Sequence, residues 1–355
     1  MKLIIQIPCL NEESTLPLTL AELPRYVEGV DVVEWLVIDD GSTDNTACVA
    51  RECGVDYVVS HTTNKGLAAA FQTGLNACLE RGADIIVNTD ADNQYPARYI
   101  PQLIEPILRG YADIVIGDRQ TNTIEHFSTT KKVLQKAGTT VVRRVAGTEA
   151  KDAPSGFRAF SREAAMRINV LSGYTYTLDT IIQAGKKNLT VAHIPIKTNP
   201  DLRRSRLVRS IPRYVLYSAV TIVRLFALYQ PLRTFTYLSL PFFLVGGGLL
   251  FRFLLLVLMG QTARGSHIQS VAIGSALFVI GFLIFLIGIV GDLIATNRRL
   301  HEETLYYLKH LAFDGSHHSN RSNMPTYVFG NGMSLHSRLS DPCREPSDAV
   351  KSHQR

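Results

Sequence analysis

Ala83–Gln94 reads ADIIVNTDADNQ. An apolar run, Ile85-Ile86-Val87, stops at three acidic or amide side chains, Asp90, Asp92 and Asn93. A buried strand that ends in carboxylates delivers them to the carboxyl edge of a sheet, where open α/β folds place their ligands. Two carboxylates one residue apart suit a hard divalent cation such as Mg²⁺ or Mn²⁺, which keeps waters and takes further ligands from phosphate oxygens. A lone D-x-D arises by chance in many surface loops, so its meaning depends on the surrounding chain.

Outward from that stretch, short apolar runs alternate with helical spacings. Lys2–Pro8, Val33–Ile38, Val55–Ser60 and Ile114–Gly117 read as strands, and so do Phe157–Phe160 and Val191–Lys197. Helices are predicted from Asn11 to about Tyr26 and over Asn45–Cys53, Lys65–Arg81, Pro101–Arg109, Lys131–Ala146, Arg162–Ile168 and Leu178–Lys187. Such alternation with short joins is the signature of a mostly parallel sheet with helices on both faces. Three polar clusters then fall on one sheet edge: Pro8-Cys9-Leu10-Asn11-Glu12, Asp39-Asp40-Gly41-Ser42-Thr43-Asp44 and Asp90-Ala91-Asp92-Asn93-Gln94. They outline a nucleotide crevice above a single metal. No G-x-G-x-x-G follows any strand and no P-loop is present, which disfavours nicotinamide cofactors and ATP hydrolysis.

The 355 residues carry a net charge of +6 and a pI near 9.0. That basic excess fits nucleic acid, anionic lipid or a phosphorylated substrate. Zinc-finger spacing, a basic-aromatic strand motif and a basic zipper are all missing, so no nucleic-acid partner is expected. The five cysteines lack metal or redox spacing and read as reduced packing residues of the cytosol. MKLIIQIP is too short an apolar run for a signal peptide, and Glu12 and Glu13 follow it.

Past Asp201 the composition changes. LRRSRLVR over Leu202–Arg209 opens an amphipathic basic segment of the kind that lies at a membrane interface. Phe235–Met259 is apolar apart from Arg252, and Ile268–Gly291 has no charged residue. At 1.5 Å per residue the second run reaches about 36 Å, enough for a bilayer core of about 30 Å. Arg203, Arg204, Arg206, Arg209, Arg213 and Arg233 precede this hairpin, and Arg298, Arg299 and Lys309 follow it. The positive-inside bias puts both flanks, and with them the catalytic part and both termini, in the cytosol. Asn297–Leu311 reads as a short juxtamembrane helix, and Phe313–Arg355 as a disordered tail.

Taken together, PCLNEE, VIDDGSTDNT, NKGLAAAFQTGL, NTDADNQYPARYIPQLI, DIVIGDR, DAPSGFRAF and the late IPI…RRSRL resemble the family-2 glycosyltransferases of GT-A fold. Within that family the likeness is to the polyprenyl-phosphate sugar synthases, the dolichol-phosphate mannose synthases and their bacterial relatives. The resemblance implies a Rossmann-like GT-A domain over 1–200, an interfacial segment over 201–232, two membrane helices within 233–296, the juxtamembrane helix at 297–311 and the tail from 312. It implies inverting transfer of a hexose from UDP- or GDP-hexose to a polyprenyl phosphate, with Mg²⁺ or Mn²⁺. The bilayer is the second partner, and a homo-oligomer stays open.

By the same resemblance Pro8, Leu10, Glu12, Ile38 and Asp40 would hold the nucleoside; Leu10 stands where the family usually has Tyr. Asp90, Ala91 and Asp92 would form the D-x-D, and Gln94 would complete the metal environment. Lys65 would approach the diphosphate or remain solvated. Ser155, together with Gly156, Phe157 and Arg158, would shape the acceptor side. Asp152 would orient a sugar hydroxyl or act as base, with Asp179 the alternative. Arg119 after the fifth strand, and Arg203, Arg204 and Arg206, suit the holding of like-charged phosphates by their fork geometry. Arg206 stands where the family usually has Lys, and positive-inside decoration is the competing reading of that stretch. Two other readings compete for the whole chain: a transferase acting on a glycolipid or polysaccharide, and a nucleotide-sugar-binding anchor without activity. Processive polysaccharide synthases carry Q-x-x-R-W; Trp35 is the single tryptophan and lies in a strand.

Overall fold

The computed structural model describes residues 1–119, 152–170, 176–199, 227, 229–260 and 268–319. Seven strands form one sheet: β1 (Lys2–Cys9), β2 (Val32–Asp39), β3 (Tyr57–Ser60), β4 (Ile85–Asn88), β5 (Ile114–Asp118), β6 (Arg158–Ser161) and β7 (Val191–Pro195). Their order is β3-β2-β1-β4-β6-β5-β7. β1 and its neighbours are enclosed on both faces, which is why they read as unbroken apolar runs rather than alternating ones. The helices are α1 (Leu16–Glu22), α2 (Thr46–Glu52), α3 (Leu67–Glu80), α4 (Ile100–Leu108), α5 (Arg162–Arg167) and α6 (Tyr176–Lys186). The helix foreseen from Asn11 starts only at Leu16, because a turn at Glu12–Thr15 precedes Pro17 in its first turn.

Strand direction decides where the loops gather. β1, β2, β3 and β4 run parallel, with Pro8 opposite Ile38, Cys9 opposite Asp39, Asp39 opposite Ser60 and Gln6 opposite Asn88. The loops after these four strands therefore share one edge. β6 is antiparallel to both β4 and β5, with Arg158 opposite Asn88 and Ile116. Reversing this one strand brings its lead-in, Asp152–Phe157, to the same carboxyl edge. Arg119 arrives there too, one residue past β5. Cys9, Cys53 and Cys78 carry free thiols, and Cys343 lies outside the described residues.

The chain divides into two compact units, one of residues 1–124, 148–204 and 307–355, the other of 125–147 and 205–306. α7 (Pro231–Leu258) lies in the second unit, as does α8 (Ile268–Ser319) up to Tyr306, and both helices are long and apolar enough to cross a membrane. They meet through close contacts such as Phe243 edge-on to Phe278, with ring centroids 5.1 Å apart. Leu244, Phe251, Leu258, Ile287 and Leu293 point outward, as in lipid-facing helices. The separate helix foreseen at 297–311 is instead a continuation of α8. Nothing in that stretch breaks a helix, and Arg298 bridges Glu302 one turn on.

Candidate active site

The acidic loop follows β4 directly. Asp90 sits half-buried beside Asp92; burial, then the Asp92 charge, push its carboxyl up to about 7, against the pull of Arg119. Asp92 Oδ1 accepts a hydrogen bond from Gln94 N at 3.1 Å, closing a small turn. Asn93 takes the left-handed conformation, φ 54°, which asparagine tolerates better than most residues. Ala91 is buried, and its carbonyl accepts the Thr19 hydroxyl at 3.0 Å. The donor set suits a hard divalent cation. Two carboxylates that repel each other in a half-buried loop gain most from a shared positive charge, and two leave room for water and phosphate ligands. No cluster of three or more His, Cys, Asp or Glu side chains occurs among the described residues.

Against this loop lies Asp152–Arg158. A Cβ added to Gly156 would stand 2.8 Å from Tyr176 Oη and 3.0 and 3.1 Å from the two Asp90 carboxylate oxygens, so glycine lets the backbone come this close. The Gly156 peptide is held from both sides. Asn88 Nδ2 donates to its carbonyl at 2.8 Å, and its N–H donates to Tyr95 Oη at 3.2 Å. Asn88 Nδ2 also reaches Tyr176 Oη at 3.1 Å, while Asn88 Oδ1 accepts from Gln6 Nε2 at 2.9 Å. Tyr95 stacks on Phe157 and Tyr176 on Phe71. Burial pushes the Tyr95 phenol up to about 12, so it stays protonated.

Asp152, foreseen as a carboxylate for the sugar, is committed elsewhere. Arg119 donates to it from Nε at 2.7 Å and Nη2 at 2.9 Å, and the Arg119 N–H adds a third bond at 3.1 Å. This bidentate pair fixes the guanidinium plane and raises the Arg119 pKa against burial, so the cation is permanent. Arg158, foreseen at the acceptor side, is fully buried beneath the loop. Its Nε donates to Ser155 O at 2.8 Å, Nη2 to Ala153 O at 2.7 Å, and Nη1 to Thr177 O at 2.8 Å and to Thr180 Oγ1. Its place is the frame of the loop rather than the crevice, and burial lowers its pKa to about 10. Among the described residues the buried Ser155 hydroxyl has no hydrogen-bond partner, an arrangement that costs about 1–3 kcal/mol until a partner arrives. Asp179 is buried in the first turn of α6.

On the other side of β1 the remaining residues gather. Pro8 and Ile38 are buried neighbours across the β1–β2 ladder, with Leu10 half-exposed just beyond. Glu12 is buried and accepts the Thr15 hydroxyl at 2.6 Å. Asp39 caps its own turn through Ser42 N at 3.0 Å. Asp40, foreseen as a nucleoside contact, spends its carboxylate on the loop after β3. It accepts from Lys65 N at 2.9 Å and Gly66 N at 2.8 Å, and pairs with His61 Nδ1 at 2.7 Å. His61 Nε2 lies 3.0 Å from Thr73 Oγ1. That loop packs so closely on Gly41 (φ 72°) that a Cβ there would meet the Thr63 carbonyl carbon at 2.6 Å. The pinned loop leaves Lys65 exposed at the crevice edge.

Among the foreseen residues, Asp152 is paired with Arg119, Arg158 is bonded to the loop that carries Ser155, and Asp40 is bonded to the loop after β3. Arg203, Arg204 and Arg206 lie outside the described residues. The sequence reading missed Gln6, His61, Asn88, Tyr95 and Tyr176. Gln6 and Asn88 did carry a signal, as polar residues inside strands buried on both faces, where a partner is obligatory.

A family profile described as "Glycosyl transferase family 2" matches residues 4–168. The undecaprenyl-phosphate mannosyltransferase of Micrococcus luteus is 31% identical over 206 residues, which cover 55% of this chain and 83% of that protein. The polyprenol monophosphomannose synthase of Mycolicibacterium smegmatis is 29% identical over 226 residues, covering 60% and 84%. Among solved structures, glucosyl-3-phosphoglycerate synthase from Mycobacterium tuberculosis, in complex with Mn²⁺, UDP and glucosyl-3-phosphoglycerate, shares the fold at a TM-score of 0.50 and 23% identity, over 62% of this chain and 79% of that one.

Proposed function

Because the chain belongs to glycosyl transferase family 2 and is a glycosyltransferase, we propose that it moves a hexose from a nucleotide-diphosphate sugar to a polyprenyl phosphate with inversion at the anomeric carbon. One observation carries the reading: the Asp90–Asp92 loop packs on Gly156 of the very loop that fixes Arg119, so donor and acceptor groups converge at one edge. The relatives named for polyprenyl-phosphate mannosyl transfer support the acceptor class. Asp90 and Asp92, with Gln94 beside them, would hold Mg²⁺ or Mn²⁺, whose chemistry is to neutralise the leaving diphosphate.

This chain's own groups do the rest. Pro8, Leu10, Glu12 and Ile38 wall the nucleoside, and Asp40 holds the loop that offers Lys65 to the diphosphate. Arg119, locked by Asp152, turns its remaining donors toward the acceptor phosphate, and the unpartnered Ser155 hydroxyl supplies a further donor there. Arg203, Arg204 and Arg206 add positive charge on the acceptor side. A lipid monophosphate has a second pKa of about 6 and is mostly dianionic at neutral pH, so its oxygen attacks without a general base. That oxygen forms a bond to the anomeric carbon while the bond from carbon to the diphosphate oxygen breaks, the electron pair leaving with the nucleotide. α7 and α8 anchor the enzyme in the bilayer that holds the acceptor, with the catalytic part on the cytosolic side by the positive flanks.

Membranes bearing the enzyme, given radiolabelled UDP- or GDP-hexoses and polyprenyl phosphate, are expected to form a lipid whose label is released by mild acid, and EDTA abolishes it. Label only in alkali-stable lipid or polymer would assign a different acceptor.

The Asp90 shift adds a pH signature. An unfolded aspartate titrates near about 3.9. Between that value and about 7 the metal-free fold keeps a proton the unfolded chain has released, so its stability falls as pH rises through the window. A cation must displace that proton, so apparent metal affinity drops by about tenfold per pH unit below 7. Thermal melts with fixed Mn²⁺ are expected to show a larger stabilisation near pH ~8 than near pH ~6. Equal shifts at both would place the cation away from Asp90.

A further inference from the structure

Just past β7 the chain turns back onto the acidic loop. Asn199 N donates to Gln94 O at 2.9 Å, and Asn199 Nδ2 donates to Asn93 O, also at 2.9 Å. Two residues earlier, Lys197 N donates to Tyr99 Oη at 3.3 Å. The segment 197–199 is thus zipped along 93–99, from a strand about a hundred residues away in the chain. Gln94 links the contact to the carboxylate: its N–H is held by Asp92 Oδ1 and its carbonyl by Asn199. Asn93, between them, is kept in the left-handed conformation, with its own side chain donating to Glu22 at 2.9 Å.

We propose that Asn199 is a positioning residue for the metal loop, holding the Asn93 and Gln94 carbonyls so that Asp92 meets the cation already aligned. The proposal rests on the reading of Asp90 and Asp92 as the metal pair. Without the Asn199 Nδ2 bond the Asn93 carbonyl loses its tie to the segment after β7, and the backbone bond to Gln94 alone must hold that side of the loop. The disorder gained would have to be removed again when the cation binds, and outer partners of this kind typically change metal affinity by about 10–100-fold. Nothing in this role touches the sugar or its leaving group. The effect therefore falls on metal uptake, and turnover at saturating metal is kept.

The test uses the full chain in detergent, titrated with Mn²⁺ in the presence of UDP or GDP and followed by the electron paramagnetic resonance signal of free Mn²⁺. Asn199→Ala and Asn199→Asp, neither of which can donate from the side chain, are expected to bind Mn²⁺ about tenfold more weakly. Their transfer rate should recover at high Mn²⁺. Asn93→Gly keeps both carbonyls and the φ of the turn, and is expected to stay within about twofold of the wild type. Should Asn199→Ala misfold, Asn199→Ser, whose hydroxyl is too short to span the gap, carries the same expectation. Wild-type affinity in the Asn199 variants, or a loss in Asn93→Gly that they do not share, overturns the proposal and shifts the anchor to Glu22. If the wild type takes up no Mn²⁺ with either nucleotide, the metal pair itself is refuted and the positioning role falls with it.

Discussion

Replacing Asp92 by alanine lowers sugar transfer by about 10³-fold, the scale expected when a group that stabilises developing charge is removed from an enclosed site. Two losses combine. On the proposed reading the leaving diphosphate would lose the cation that neutralises it, because Asp90 alone is a single carboxylate in a half-buried loop. The turn also loses its cap, since Asp92 Oδ1 no longer accepts from Gln94 N. Asp92→Asn separates the two: the amide oxygen keeps the cap but not the charge. Near-equal loss in both variants assigns the effect to the cation, whereas recovery in Asp92→Asn assigns it to the turn. The variant should still enter membranes in normal amount, since Asp92 is no part of the apolar helices α7 and α8. Turnover near the wild type in Asp92→Ala would remove this residue from any metal role.

How much of this was legible beforehand follows from what each feature depends on. The shared loop edge depends on parallel strands enclosed on both faces, and these announce themselves as apolar runs ending in polar clusters, as at Cys9, Asp39 and Asn88. The direction of β6 was not legible, because RAFS is four residues long and fits either sense. Yet that direction brings Asp152–Phe157 to the site. Charged residues were read as chemistry, but Arg158 spends its donors on four oxygens, three of them backbone carbonyls, which no side-chain pattern reveals. The Asn88–Tyr176 contact spans 88 residues and Gln6–Asn88 spans 82, distances over which local periodicity says nothing. The unbroken α8 was missed because a change from apolar to charged composition was taken for a helix end. Helices end at breakers and caps, and a switch in polarity is neither.

The glycine at 156 puts the convergence of the two loops to its sharpest test. Gly156→Ala keeps every charge and every side-chain donor of the site, yet transfer is expected to fall by about 10²-fold, as a shift near 1 Å at a reacting centre can produce. The added methyl would stand 2.8 Å from Tyr176 Oη, closer than real Cβ atoms come, and 3.0 Å from the nearer Asp90 oxygen, tighter than most such contacts. Something must move, and the two neighbours differ. Tyr176 is pinned by its stack on Phe71 and its bond to Asn88, whereas Asp90 stands half-exposed on a loop. The carboxylate therefore yields first, and metal affinity falls together with turnover. The double variant Gly156→Ala with Tyr176→Phe tells the two apart. Removing the phenol oxygen relieves the contact with Tyr176 and leaves the one with Asp90, so activity should stay low. Recovery to near wild type in the double variant would mean that the tyrosine, and with it the Asn88 frame, took the strain, and that the acidic loop tolerates displacement of its neighbour.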